Sequence, residues 1–374
     1  MLPPRDAKVA IAMSGGVDSA VAAAMMVEMG YSCVGLTLRL VPEPSKASVF
    51  EPCCGLQASE DARRICEKLG IPHRVIYAVD RFDRDIISFF VEEYTAGRTP
   101  NPCIRCNRMI KFGALYRYMR ELGADYVVMG HYARLERRSD RYGLRRAVYR
   151  DKDQSYVLAP LTQAQLSRAV FPLGDFTKDE VRAKARALDI RVAAKPDSQE
   201  LCFVPDRDYA SFVEARNPEA SQPGPIYFVD GTLVGFHRGL HRYTIGQRRG
   251  LGLSAPRPYY VVALDPRRNA LIVGYEEHTS AGSVFIGPLS WGAMPPTEEP
   301  FRAWVQLRSR HQAAPCRVIP TRRHAWVHFD QPERAATPGQ WAVLYDAEGF
   351  VLASGEIQEV ASRHALERNE AVLS

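Results

Sequence analysis

Residues 10–21, AIAMSGGVDSAV, join an apolar run that reads as a strand to an Ala-rich run that reads as a helix, through Ser14, Gly15, Gly16, Val17, Asp18 and Ser19. Such a turn brings converging backbone N–H groups and the positive end of a helix dipole to one point, which suits a phosphate. It also commits the chain to a sheet whose strands alternate with helices. The P-loop pattern GxxxxGK[ST] is absent. With no lysine in the turn to reach a terminal phosphate, kinase or GTPase chemistry is disfavoured, while the Ser14 and Ser19 hydroxyls remain to supplement the amides. The plain alternative is a tight turn in which Asp18 or Ser19 caps the helix.

Downstream the alternation continues. Lys8 to Met13, Cys33 to Leu40, Arg74 to Ala78 and Tyr126 to Met129 read as strands. Ser19 to Met29, Ala58 to Lys68, Phe82 to Tyr94 and Ile110 to Leu122 read as helices, so an α/β domain with a parallel sheet covered on both faces is expected. From about residue 222 the character changes to short Val/Ile/Tyr/Phe-rich runs such as Tyr259 to Leu264, Ala270 to Val273, Trp326 to Phe329 and Trp341 to Tyr345, parted by Gly, Pro, Asp and Asn. That is the pattern of small barrels or sandwiches. Linkers are expected at Asn217 to Pro225 and Gly287 to Pro300, and no repeat or low-complexity tract is visible.

With 374 residues and 46% apolar content, two or three domains with ordinary cores are expected. No apolar run is long enough to cross a membrane, and the start MLPPRDAKVAIAM lacks the layout of a secretory signal, so the cytoplasm is the expected compartment. The net charge of +6 is unevenly placed. Residues 131–150 hold seven Arg against Glu136 and Asp140, and residues 301–325 hold six Arg and no acid. Either segment alone can be a solvated hairpin or strand face; together, with Arg238, Arg242, Arg248 and Arg249, they favour a polyanionic partner, nucleic acid first.

The eight cysteines are too scattered for a disulfide framework. In TPNPCIRCNRMIKF, residues 99–112, two prolines around Asn101 read as an extended loop presenting Cys103 and Cys106 just before a helix starting near Ile110. With Arg105, Arg108 and Lys111 close in sequence, these thiols are expected to be biased toward thiolate, as nucleophile or metal ligand. No second CxxC follows, and Cys53 and Cys54 are adjacent, so structural zinc is disfavoured. Cys202, in AKPDSQELCFVPDRDYASF, is either a loop thiol near the sheet's ligand edge or a buried small hydrophobe. Cys33, Cys66 and Cys316 are read as buried and inert.

SGGVDS resembles the pyrophosphatase loop of the adenine-nucleotide alpha hydrolases, which split ATP to AMP and pyrophosphate while adenylating an oxygen. The full series AIAMSGGVDS, RICEKLGIPH, AGRTPNPCIRCNRMIKFG, LGADYVVMGHYAR, KDQSYVLAPL, PDSQELCF, HRYTIGQRRGLGL, TPGQWAVLYD and GEI resembles one family, the bacterial and mitochondrial tRNA 2-thiouridylases. Motifs in fixed order along nearly the whole chain are far more specific than any one of them.

The resemblance implies a nucleotide-binding domain over 1–216, a small mainly-β central domain over 217–285 and a tRNA-gripping β-barrel over 286–374. It implies that Ala12, Met13, Ser14, Gly15, Gly16, Val17, Asp18 and Ser19 bind ATP with Mg2+, with Leu38 and Gly130 near the adenosine. Asn101, Pro102 and Cys103 would face the target base. His131, Lys152, Asp153, Gln154, Arg308, Ser309 and Gln340 match positions that touch tRNA. Cys106 matches the family's nucleophile and Cys202 the cysteine that carries sulfur as a persulfide, the two forming a disulfide after transfer. A sulfur-relay protein or a cysteine desulfurase would be the donor. Cys103 stands where the best-known members have Asp, so a [4Fe-4S] cluster on Cys103, Cys106 and Cys202 is implied as an alternative to the persulfide. Two rival classes stand beside this reading: a ligase adenylating a small-molecule carboxylate with the same loop, and a non-catalytic RNA-binding protein.

Overall fold

A computed structural model of the 374-residue chain describes residues 1–41, 55–190, 201–204 and 208–362. The first sheet takes strands β1 (Lys8–Ala12), β2 (Ser32–Arg39), β3 (His73–Tyr77) and β4 (Tyr126–Val128), then, after a hairpin of β5 (Ala133–Arg138) and β6 (Arg141–Arg146), β7 (Ala169–Val170). Its order is β3-β2-β1-β4-β7, all parallel. In β1, Val9, Ala10 and Ile11 are wholly buried, as a central strand covered on both faces requires. The connection α1 (Val17–Glu28) is apolar nearly all round and packs against β1, β2 and the helix Lys178–Ala187. α2 (Leu56–Lys68) buries Ala58, Ala62, Ile65 and Cys66 on one stripe. The expected strands and helices of this domain are present, most of them shifted at their ends by a few residues or fewer.

One expectation fails. The segment after Asn101 is helical from Pro102 to Cys106 and runs on through a wider π-helical stretch, Asn107–Ala114, into Leu115–Glu121. Pro102 is no obstacle because it occupies the first turn, where its missing N–H has no partner to lose, and the Asn101 side chain caps the helix by accepting from Ile104 N at 3.2 Å. Cys103 and Cys106 therefore lie inside a first helical turn, not ahead of it.

The central sheet has strands β8 (Gly224–Phe228), β9 (Leu233–His237), β10 (Tyr260–Asp265) and β11 (Ala270–Gly274) in the order β10-β11-β8-β9. The last part holds β12 (Ser280–Ile286), β13 (Ser290–Trp291), β14 (Phe301–Gln306), β15 (Ala314–Pro320), β16 (Ala325–Arg334), β17 (Trp341–Tyr345) and β18 (Val351–Ser362). Six of these close into a barrel, β12-β16-β15-β14-β17-β18, by pairing of β12 with β18, and β13 hangs on β18. β15 shows the alternation: Ala314, Cys316, Val318 and Pro320 point inward while Pro315, Arg317 and Ile319 point out.

The Arg-rich hairpin is not a free solvated face. Arg138 pairs with Asp346, Arg141 Nε donates to Gly292 O at 2.9 Å, Arg145 Nε to Glu348 O at 2.9 Å, and Arg146 to Gln306 Oε1 at 2.9 Å. Much of the cationic charge of 131–150 thus docks the barrel onto the nucleotide domain. A second contact grips the stem of the cysteine helix. Thr99 N donates to Pro338 O at 3.0 Å, Gln340 Nε2 donates to Thr99 O at 2.9 Å, and Gly339 fits only because a Cβ there would meet Thr99 O at 2.9 Å. Beside them Arg98 Nε donates to Glu93 at 2.7 Å, with Glu356 of β18 3.8 Å from the same guanidinium.

Burial, and next the Glu93 charge, push the Glu356 carboxyl up to about 7, against the pull of Arg98 and Arg105. The folded chain thus holds a proton that an unfolded glutamate has released, so this group's stability contribution falls as pH rises from the ordinary glutamate range to about 7. Glu356→Gln is expected to raise stability at pH 8 by about 1–3 kcal/mol and to make no difference near pH 4. Urea unfolding across that range checks it; parallel curves for the two proteins would refute the assignment.

Candidate active site

The carboxyl ends of the parallel strands carry the loop that opens α1, the place where α/β sheets take their ligands. Gly16 starts the helix in extended conformation, and no side chain caps it. Ser19 Oγ donates back to Gly16 O at 3.0 Å and receives Ser14 N at 3.2 Å, so the serines brace the turn without capping the first-turn amides of the helix. The plain capping alternative for Asp18 and Ser19 is therefore not what the loop does. Gly15 is required twice over: its φ is +69°, and a Cβ would sit 2.3 Å from Ala58 O of α2. Gly130 lets β4's end lie against the same turn, since a Cβ would meet Asp18 and Ser19 backbone atoms at 2.8 Å.

Asp18 is held by groups far along the chain. Lys178 Nζ donates to both carboxylate oxygens, at 2.7 and 2.8 Å, and Tyr132 Oη donates to Oδ1 at 2.7 Å. Lys178 is itself 9% exposed, at the start of a helix whose Thr177 and Glu180 form a capping box. Neither Lys178 nor Tyr132 was expected from sequence. The capping box in TKDEVR signals a helix start, but nothing local says that its lysine meets a turn 160 residues away.

Cys106 is buried, Cys202 half-buried and Cys103 exposed. Cys106 and Cys202 belong to one apolar cluster with Phe82, Ile86, Phe90, Ile110, Phe203 and Val204. Phe203 is set among Phe82, Phe90 and Phe212 at ring distances of 5.8, 5.2 and 5.5 Å, which anchors the segment Leu201–Val204 beside the cysteine helix. Leu40, just past the end of β2, joins that cluster, and Leu38 packs against it and against the core under the sheet. The sulfur-bearing cluster therefore abuts the edge that holds the α1 turn. Arg105 does not activate the thiols as expected: its Nε donates to Asp85 O at 2.7 Å and its guanidinium lies 3.9 Å from the Phe89 ring centre.

Among the described residues no group of three or more His, Cys, Asp or Glu is arranged to hold a metal ion. With Cys103 on the surface and Cys106 turned into the core, the three thiols do not converge as ligands of a cluster. Cys53 and Cys54 lie outside the described residues. Cys33, Cys66 and Cys316 are buried as expected, their thiols pushed up by burial to about 11, 12 and 12.

Of the residues matched to tRNA contact, several spend their side chains internally. Asp153 accepts from Ala147 N at 2.9 Å and Ser155 Oγ at 2.8 Å, Gln154 accepts from Tyr132 N at 3.0 Å, and Gln340 holds Thr99. Ser309 lends its carbonyl to Gln306 at 2.9 Å, and Arg308 is exposed, with one donor on Arg334 O at 3.2 Å. His131, which follows Gly130, packs edge-on to Phe171 at 6.3 Å.

Residues 7–206 match a family model described as a tRNA methyl transferase HUP domain, 210–275 a tRNA methyl transferase PRC-barrel domain, and 282–357 an aminomethyltransferase beta-barrel domain. The tRNA-specific 2-thiouridylase MnmA of Symbiobacterium thermophilum is 47% identical over 359 residues, 94% of this chain and 92% of that protein. The protein of the same name from Heliobacterium modesticaldum is 46% identical over 356 residues, 93% of this chain and 92% of its own. The chain belongs to the tRNA-specific 2-thiouridylase family. The models' wording speaks of methyl transfer, but near-full-length relatives decide the family of this 2-thiouridylase chain. Its described residues include no helix long and apolar enough to cross a membrane.

The Asp18–Lys178 contact has a measurable worth. Lys178→Met is expected to destabilise the chain by about 1–3 kcal/mol, discounted because Asp18 is partly exposed, and adding Asp18→Asn should recover part of that loss. Urea unfolding of the two single variants and the double variant checks it; strictly additive losses would show that the two groups are not coupled.

Proposed function

We propose that the protein is a tRNA-uridine 2-sulfurtransferase that thiolates the wobble uridine of tRNA at the expense of ATP. The observation that carries this reading is the shared cluster of Cys106 and Cys202 against the sheet edge where α1 begins uncapped. A nucleotide site and a sulfur site side by side are what replacement of a carbonyl oxygen by sulfur demands.

Uracil C2 is a poor electrophile, and its oxygen leaves badly. In the proposed first step that oxygen attacks the α-phosphorus of ATP, taken as its magnesium complex, and pyrophosphate departs. The α1 turn, Ala12 to Ser19, holds the phosphates by its amides, with Leu38 and Gly130 bounding the adenosine. The base keeps its N3 proton and becomes a cation with an electrophilic C2. In the second step the terminal sulfur of a Cys202 persulfide adds to C2 and AMP leaves with the former uracil oxygen. The Cys106 thiolate then attacks the inner sulfur; the S–S bond breaks, its electron pair passes to the sulfur on C2, and 2-thiouridine is released. A Cys106–Cys202 disulfide remains, to be reduced by two electrons from a thiol reductant. A sulfur-relay protein or a cysteine desulfurase renews the persulfide. No step is routed through a [4Fe-4S] cluster, because the thiols do not converge on one.

Asn101, Pro102 and Cys103, at the cap and first turn of the cysteine helix, would meet the base, which leaves the anticodon stack at a cost of a few kcal/mol that backbone contacts offset. Lys152, Arg308 and neighbouring arginines supply those contacts, while Asp153, Gln154 and Gln340 shape the surface from within. A ligase for a small carboxylate would use the same loop but leave the paired thiols without a task.

Incubation with tRNA, ATP and sulfide or a persulfide donor, followed by mass spectrometry of the nucleosides, is expected to reveal 2-thiouridine. Cys106→Ser and Cys202→Ser are expected to abolish it in the persulfide-driven reaction. Asp18→Ala is expected to stop AMP formation while changing tRNA affinity by less than about threefold at fixed salt, because many arginine contacts dominate binding. A parallel collapse of tRNA affinity would contradict the division of labour, and AMP formation with a carboxylate instead of tRNA would favour the ligase.

A further inference from the structure

Asn107, directly after Cys106, is 2% exposed, and its Nδ2 donates to Val157 O at 3.0 Å. That bond fixes the carboxamide, since a flipped amide would set oxygen against oxygen. The fixed orientation leaves Oδ1 buried with no hydrogen-bond partner. His131 presents a second such atom, a buried and unpartnered Nδ1. Burial, and next the charge of Lys111, push that imidazole down to about 3, so it carries one N–H and one lone pair throughout the working range. The His131 ring packs edge-on to Phe171 at 6.3 Å, and Phe171 packs edge-on to Phe112 of the stretch Asn107–Ala114 at 6.0 Å, which ties both orphaned atoms to one neighbourhood beside the cysteine helix.

An unpaired buried polar atom is costly, and folding alone gives no reason to keep it. Two together, next to the nucleophile, point to a ligand that brings the missing partners. Uracil offers a donor at N3 and an acceptor at O4; cytosine offers an acceptor at N3 and a donor at its amino group. We propose that Asn107 Oδ1 accepts the N3–H of the target uracil, while His131 Nδ1, in the tautomer that donates, meets its O4, so that the fixed carboxamide selects uracil over cytosine. N3 is bonded to C2, so the grip also fixes the reacting carbon. Once O2 carries AMP and N3 keeps its proton, the base is cationic and the bond to Asn107 becomes charge-assisted, favouring the activated state over the ground state. Both atoms are shut off from solvent here, so entry of the base includes a local opening of the groups that cover them.

The inference rests on the proposed 2-thiolation and is tested with tRNA carrying uridine, 3-deazauridine or cytidine at the target position. In 3-deazauridine a C–H replaces N3–H without added bulk and the 4-oxygen becomes a hydroxyl, so this base lacks the whole donor–acceptor edge assigned to Asn107 and His131. For the wild-type protein, kcat/KM for thiolation is expected to fall about 10- to 100-fold from uridine to 3-deazauridine. For Asn107→Leu, uridine is expected to fall to the 3-deazauridine level, and the gap between uridine and cytidine to narrow by a similar factor. A structural role would lower all substrates alike and leave these ratios unchanged, which would overturn the assignment. Equal thiolation of uridine and 3-deazauridine by the wild-type protein would overturn it without any variant, should Asn107→Leu not fold. Absence of AMP with uridine tRNA is a failure of the proposed 2-thiolation itself, read on the wild-type protein before any base ratio is taken.

Discussion

The first turn of α1 offers amides that no side chain caps, at the carboxyl edge of a parallel sheet, and the rest of the site is arranged around that fact. An anion drawn to such a turn would be repelled by the carboxylate of Asp18 if that charge stood alone. Lys178 and Tyr132 remove the difficulty by holding Asp18 between an ammonium and a phenol. The turn lacks a P-loop lysine, and a buried lysine from a distant helix restores the positive charge beside it.

The second constraint is mechanical. The cysteine helix begins at Asn101, and the residues just before it are pinned by the barrel through Pro338, Gln340 and Glu356. The arginine hairpin fastens the same barrel through Gly292, Glu348 and Gln306. The barrel therefore positions the site: its backbone and side chains set where Cys103 and Cys106 stand. Phe203, held among three other rings, does the same for its neighbour Cys202.

How much of this the sequence disclosed depends on the range of the signal. The strand and helix alternation of the first domain was legible because burial on both faces of β1 and all round α1 leaves long apolar runs. The short strands after residue 222 were legible from their turn residues. The helix at Pro102 was misread because proline was taken as a breaker, when a proline in the first turn after a capping asparagine favours a helix. The docking role of the arginine-rich segment was not legible, because composition does not reveal that Asp346 and backbone carbonyls of the barrel wait for those side chains. Lys178 and Asn107 escaped notice because their meaning lies in a pairing across the fold and in an absent partner, neither of which leaves a local pattern.

The central claim is that the α1 turn and the paired thiols act in succession on one carbonyl. It is tested most directly with tRNA whose target uridine carries 18O at the C2 position. Adenylation of that oxygen predicts one 18O atom in the phosphate of the AMP released per thiouridine formed. Unlabelled AMP, with the 18O recovered in water, would show that ATP is spent elsewhere and would contradict the account.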